Sequence, residues 1–172
     1  MMSWDEIGDT PCPIARTLAV VGDRWTMLIV RELFTGTRRF EDFQAQTGIS
    51  PHLLSTRLKR LEADGIVRRQ AYSAHPPRHE YRLTEKGLDL YPLILGLRAW
   101  GEKWGGFPAG HQPALRILHK ACGHETGFQF GCAACGLPYG ARDTKAVMSD
   151  DFAAARATRH QAFHARKTND RG

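Results

Sequence analysis

Three of the four cysteines lie in one stretch of the C-terminal third, at spacings that suit metal ligation. His119-Lys120-Ala121-Cys122-Gly123 and Cys132-Ala133-Ala134-Cys135-Gly136 share one shape: a ligand, two residues, a second ligand, then glycine. Two such turns facing each other would make a tetrahedral Cys3His zinc site of the ribbon type from His119, Cys122, Cys132 and Cys135. The glycines would let each turn tighten around the ion. His124 is a rival for the fourth position. With no surplus carboxylate or open ligand position suggested, such a zinc would be structural. The same residues also read as a metal-free hairpin with reduced thiols, or as a redox pair of Cys132 and Cys135. A thiol oxidoreductase would carry that pair at a strand-to-helix turn, and Gly127 to Gly140 has no such setting. There is no phosphate-cradling glycine loop, nucleophile elbow or zinc-hydrolase helix motif, so the chain is not expected to be an enzyme. Cys12 stands apart from the cluster, and a free cysteine is ordinarily a small buried hydrophobe.

A second set of residues suits nucleic acid. Ser50-Pro51 is the clearest helix start in the sequence, because serine satisfies an orphan amide and proline at the first helical position loses no hydrogen bond. The helix it opens runs to about Asp64, with Leu54, Leu58 and Leu61 on one face. That leaves His52, Ser55, Thr56, Lys59 and Arg60 on more exposed faces. His52, Ser55 and Thr56 near the start could reach base edges in a major groove, and Lys59 and Arg60 farther along suit phosphate. Arg57 could serve either purpose or be partly buried against the scaffold. Arg39 and Ser50 complete the set around this helix. Past Gly65 a basic hairpin follows, and its tip would bring Arg78, with His75 and His79, near the adjacent minor groove or backbone.

The elements that must hold these residues can be read from periodicity. Ile14, Leu18 and Val21 make one face of a first helix that Gly22 ends. Asp23 fits as the cap of a second helix carrying Trp25, Leu28, Ile29 and Leu33, closed by Gly36. Phe40, Phe43 and Ala45 through Gly48 describe a short third helix, and a tight turn at Gly48-Ile49 leads into the Ser50 helix. Ile66 to Tyr72 and His79 to Leu83 read as two strands around a Pro-rich turn, Ser73 to Arg78, too long for a two-residue hairpin. Thr84 caps a final helix with Leu88, Tyr91, Leu95, Trp100 and Trp104, which Pro92 should kink or split. The expected fold is mainly α with a small β-hairpin wing: a winged helix-turn-helix, followed by a small zinc-ribbon-like module. Composition breaks at Gly105-Gly106-Phe107-Pro108 put the boundaries at 1–106, 107–150 and a basic tail, 151–172, with a marginal helix that frays into disorder.

The residues also resemble a known family, the HxlR-type winged-helix regulators, relatives of the MarR group. The likeness covers Cys12 to about Gly105. It is carried by Cys12-Pro13, Gly22-Asp23-Arg24-Trp25, Arg39-Phe40-Glu41-Asp42-Phe43, Gly48-Ile49-Ser50, Leu54 through Leu61, Gly65-Ile66-Val67-Arg68-Arg69, Glu80-Tyr81-Arg82-Leu83-Thr84 and Gly87. The resemblance implies a transcriptional regulator that binds a two-fold operator in double-stranded DNA as a homodimer. Its first and last helices would form the interface. Several such regulators sense oxidants or quinones through a cysteine at the position of Cys12, where a helix N-terminus favours the thiolate. A small-molecule effector is implied by the same analogy.

Charge and composition agree. The formal net charge is +6, which favours an anionic partner. From Gly36 to Arg82 nine Lys or Arg face five Asp or Glu. No stretch approaches the ~20 apolar residues that span a bilayer, and the start lacks a signal-peptide pattern, so the expected location is the cytoplasm. The apolar last helix invites pairing of two copies, or packing of Tyr91, Leu95, Trp100 and Trp104 on the monomer's own core. A winged-helix module that binds protein is the main competing function; its reading helix and wing should lack net basic charge.

Overall fold

A computed structural model describes residues 8–75, 77–118, 120–124, 128, 134–137, 147–154, 157–158 and 161. Two compact units divide the chain: Val20–Gln129, and Met1–Ala19 with Phe130–Gly172. The larger unit holds the elements that matter for the site. α1 spans Pro13–Val21, and its last two residues, buried Val21 and half-buried Val20, belong to this unit. Ile14 and Leu18, which the helical spacing groups with Val21, are exposed.

α2 (Thr26–Phe34), α3 (Phe40–Thr47) and α4 (Pro51–Ala63) follow in close succession. Their inward residues, Ile29, Val30 and Leu33, then Phe43, then Leu54, Leu58 and Leu61, close on one another with Ile49, Ile66 and Val67 to make the core. Burial of this apolar surface is the main force holding the three helices together. α3 ends at Gly48, whose φ of 69° is the left-handed cap that lets the chain turn directly into α4. α4 starts as its sequence requires: the Ser50 Oγ accepts from the Leu53 amide at 3.4 Å, and Pro51 opens the helix.

β1 (Val67–Ala74) and β2 (Pro77–Leu83) pair antiparallel, Val67 opposite Leu83 and Ala74 opposite Pro77. This corrects the expected long turn. The strands extend almost to the tip, leaving two positions between them, and the irregularity between Ala71 and Ser73 takes up the odd residue. Proline at the first position of β2 costs no interior ladder bond, so the Pro-rich composition that reads as loop is compatible with strand. Arg38 and Arg39 extend the sheet edge: the Arg38 carbonyl accepts from the Tyr81 amide at 2.9 Å, and Arg39 bridges Glu80.

The last helix is split, as Pro92 foretells. α5 (Glu85–Leu88) is capped by Thr84, and α6 (Tyr91–Trp104) has Pro92 in its first turn, where the missing N–H matters least. α5 sits tight against the hairpin base, because a Cβ on Gly87 would run into the Ile66 carbonyl oxygen. No residue of α6 is fully buried. In the smaller unit, residues 150–154 are helical. Among the described residues no helix is long and apolar enough to cross a membrane.

Candidate nucleic-acid interface

α4 is held from behind by three leucines, and this fixes which residues it turns outward. With Leu54, Leu58 and Leu61 in the core, helical geometry sends His52, Thr56 and Lys59 to the opposite face, with Ser55 and Arg60 on its flanks. His52, Thr56, Lys59 and Arg60 are exposed and Ser55 is half-buried. The Thr56 hydroxyl donates to the His52 carbonyl at 3.0 Å, which leaves its oxygen able to accept. Arg60 approaches Asp64 one turn on, at 3.8 Å, with nearly half of its side chain still exposed.

Arg57 goes elsewhere. Its Nε lies 3.3 Å from Asp23 Oδ1, and both side chains are about three-quarters covered. Asp23 in turn holds the start of α2: its carboxylate accepts from the Trp25 amide at 2.9 Å, the Thr26 amide at 3.1 Å and the Thr26 hydroxyl. Burial pushes the Asp23 carboxyl up, but the Thr26 hydroxyl, the two amides and Arg57 outweigh it, so the group titrates below its ordinary value. Of the two roles open to Arg57 in the sequence, the structure shows the scaffold contact. The pairing ties α4 to the start of α2.

The same happens at the other end of α2. Glu32 is buried yet satisfied: Oε1 accepts from Arg31 at 2.7 Å and Oε2 from the Thr37 hydroxyl at 2.9 Å. Arg38 donates to the carbonyls of Leu33 and Thr37. These contacts shape the turn from α2 into α3, and nothing in the periodicity announces them. A charged residue inside an apolar run was the one signal available.

On the hairpin, Arg78 and His75 are exposed near the tip. His79 is half-buried and its Nδ1 lies 2.9 Å from Arg69. Arg82 pairs with Glu80 at 2.8 Å. Arg39 is exposed but anchored, its guanidinium over the Tyr72 ring at 4.7 Å. The structure therefore carries an outward polar face on α4, a hairpin with exposed His75 and Arg78 near its tip, and Arg39 against that hairpin, all on one unit.

The cysteine cluster is only partly in view. His119 and Cys132 lie outside the described residues, while Cys122 and Cys135 are exposed. Among the described residues no group of three metal-ligating side chains gathers. Cys12 is half-buried just ahead of α1, its carbonyl accepting from the Arg16 amide at 3.1 Å.

α6 has two faces. Tyr91 packs on Phe34, ring centroids 4.9 Å apart, and Ile94 packs on the core. Leu93, Leu97, Trp100 and Trp104, at helical spacing on another side, are exposed, the two tryptophans by 66% and 62%. The expectation that grouped Tyr91 and Leu95 with the tryptophans is thus divided: Tyr91 turns inward to the monomer.

Known proteins share this fold. The chain is 39% identical over 145 residues to the HTH-type transcriptional regulator Mb3122 of Mycobacterium bovis, a match covering 84% of this chain and 90% of the relative. The crystal structure of PA1607, a candidate transcription factor, superposes with a TM-score of 0.73 at 36% identity, over 83% of this chain and 98% of the other. The redox regulator HypR, in its reduced form, gives a TM-score of 0.51 at 39% identity over 54% of this chain and 92% of its own. The family model for HxlR-like helix-turn-helix proteins matches residues 20–107. The chain belongs to the HxlR-like helix-turn-helix family of transcriptional regulators.

Proposed function

We propose that the protein is a sequence-specific DNA-binding regulator acting as a homodimer on a two-fold operator. The observation that carries this reading is the outward face of α4, polar and basic on a helix whose opposite side is locked into the core. His52, Ser55 and Thr56 would meet base edges, and Lys59 and Arg60 would meet phosphate. Arg78 and His75 would reach the neighbouring groove or backbone from the hairpin, with Ser50 and Arg39 steadying the approach. Pairing through α6 is supported by its exposed row of Leu93, Leu97, Trp100 and Trp104, more apolar surface than a lone helix normally shows to water.

Binding to the promoter of the chain's own gene or its neighbour, measured at two salt concentrations, tests the reading. Three phosphate contacts per protomer, from Lys59, Arg60 and Arg78, give a slope of log K against log salt of about −5 for a dimer. Lys59→Ala should weaken binding to all sequences and lower the slope by about one per protomer. Equal, weak binding to any DNA would instead favour a protein-binding role.

Two further elements belong to this reading. HypR, a redox regulator, is similar to this chain, which supports a sensing role for Cys12. Unchanged release of Cys12→Ser from DNA under diamide would refute that. The paired spacing of His119, Cys122, Cys132 and Cys135 supports a structural zinc in the segment from 107 to 150. Metal-free protein with every thiol titratable would remove it.

A further inference from the structure

The larger unit contains a cleft of about 600 Å³ that no step of the DNA-binding reading uses. Three walls enclose it. Leu28 and Phe34 come from α2, Ile94 and Leu95 from α6, and Leu115 and Ile117 from the chain beyond Gly105. That third wall lies outside the residues matched by the family model, which stop at 107. It is held against α6 by particular contacts. His111 Nε2 lies 2.9 Å from Glu102 Oε2 and Arg98 Nε donates to the Leu115 carbonyl at 2.9 Å, while within the segment the Phe107 ring stacks on His111 at 4.4 Å. The cleft is therefore a product of the appended segment, not of the helix-turn-helix domain alone.

Its volume is that of a small-molecule site, which typically encloses ~300–1,000 Å³. The lining is almost wholly hydrocarbon, so the occupant must be mainly apolar. Its charge follows from the few ionic groups on the wall. Arg31 is matched by Glu32 at 2.7 Å, and Glu102 faces His111. Arg98 uses only its Nε, on a carbonyl, and among the described residues no carboxylate lies within ion-pair distance of it. Its remaining N–H groups form a fork suited to a carboxylate.

We propose that this cleft binds a small amphipathic organic carboxylate, with its apolar body between α2, α6 and the 107–117 segment and its head on Arg98. The link to regulation rests on the DNA-binding reading above; the binding itself does not. That link has a physical route, because α2, which forms one wall, holds Arg57 of α4 through Asp23 at its start.

Calorimetric titration of the full-length chain with naphthylacetate, naphthylethanol and naphthylethylamine tests the site. The acid should saturate one site per chain, and the amine should bind about tenfold more weakly or worse. Arg98→Met should bring the acid down to the affinity of the alcohol and leave the alcohol unchanged. Ile117→Trp, which fills the cleft from the appended wall, should abolish binding of all three. Equal affinity for acid and amine, or binding that survives both substitutions, overturns the proposal. So does binding that halves the mass seen by light scattering, since the cleft would then be a contact between two copies. A chain that binds naphthylacetate but no DNA would refute the regulator reading and leave the site standing.

Discussion

Asp23 offers the sharpest test of how α4 is held. Three hydrogen bonds to the start of α2 and an ion pair to Arg57 of α4 meet on one carboxylate. Asp23→Ala removes them all. Loss of a helix-start acceptor costs about 0.5–2 kcal/mol. Loss of the ion pair adds ~0.2–1 kcal/mol on the scale of exposed pairs, and coverage of both side chains places it toward the upper end. Arg57 Nε, inaccessible to solvent and with no hydrogen-bond partner among the described residues, then loses the carboxylate beside it. The expected total is about 2–3 kcal/mol, or roughly 5–10 °C in Tm for a chain of this size.

Asp23→Asn separates the two contributions, because it keeps an acceptor and removes the charge. It should cost about 1 kcal/mol near neutral pH, the part carried by charge-assisted bonding. The pH dependence has a definite sign. The folded carboxyl titrates below its ordinary value, so its charge stabilises fully above the unfolded-state pKa and the benefit disappears as pH falls through the folded one. The gap between wild type and Asp23→Asn should hold constant around neutrality and close in acid. Urea denaturation followed by far-UV circular dichroism, at fixed protein concentration because the stability of the proposed dimer would depend on it, measures all three proteins. An Asp23→Ala variant within about 0.5 kcal/mol of wild type, the range of ordinary surface changes, would refute the idea that Asp23 joins α2 to α4.

Other substitutions probe the remaining supports. Leu58→Ala empties a fully buried core position behind the outward face of α4 and should destabilise by about 2–5 kcal/mol in the same denaturation assay. Gly87→Ala should cost about 1–3 kcal/mol, because its methyl meets the Ile66 carbonyl oxygen and lies 2.9 Å from Leu83 Cδ2; an unchanged urea midpoint would show that α5 can shift freely. Trp100→Glu, at a largely exposed position on α6, should leave the circular dichroism intact and lower the mass measured by light scattering toward the monomer.

Local rules made the framework readable. Ser50-Pro51, Gly48 and Pro92 each act within a few residues of themselves, so their effects on caps, turns and the split of the last helix appear directly in the sequence. The leucine stripe of α4 is legible for a similar reason, since one helical period decides it. The hairpin was harder. Prolines read as loop until the partner strand is known, and the register that puts Pro77 at a strand start is set by pairing, not by local preference. The cleft was illegible, because its walls come from three separated stretches of chain.

Charge shows most clearly what folding adds. Counting Lys and Arg between Gly36 and Arg82 suggests a wide basic face, yet several of those cations serve the scaffold. Arg38 holds two backbone carbonyls, Arg57 grips Asp23, Arg69 meets His79 and Arg82 meets Glu80. Long side chains with delocalised charge are well suited to such cross-links, because guanidinium combines a fixed fork of donors with a weakly hydrated plane. The consequence is a narrower reading surface than composition implies. If all nine cations of each protomer met phosphate, a dimer would show a salt slope near ~−16, whereas the proposed contacts from Lys59, Arg60 and Arg78 alone would give a slope about a third as steep. The Arg57–Asp23 pair also ties α4 to the start of α2, so in the proposed complex α4 would meet DNA as a preformed face, and base discrimination would not be weakened by the entropy of ordering it.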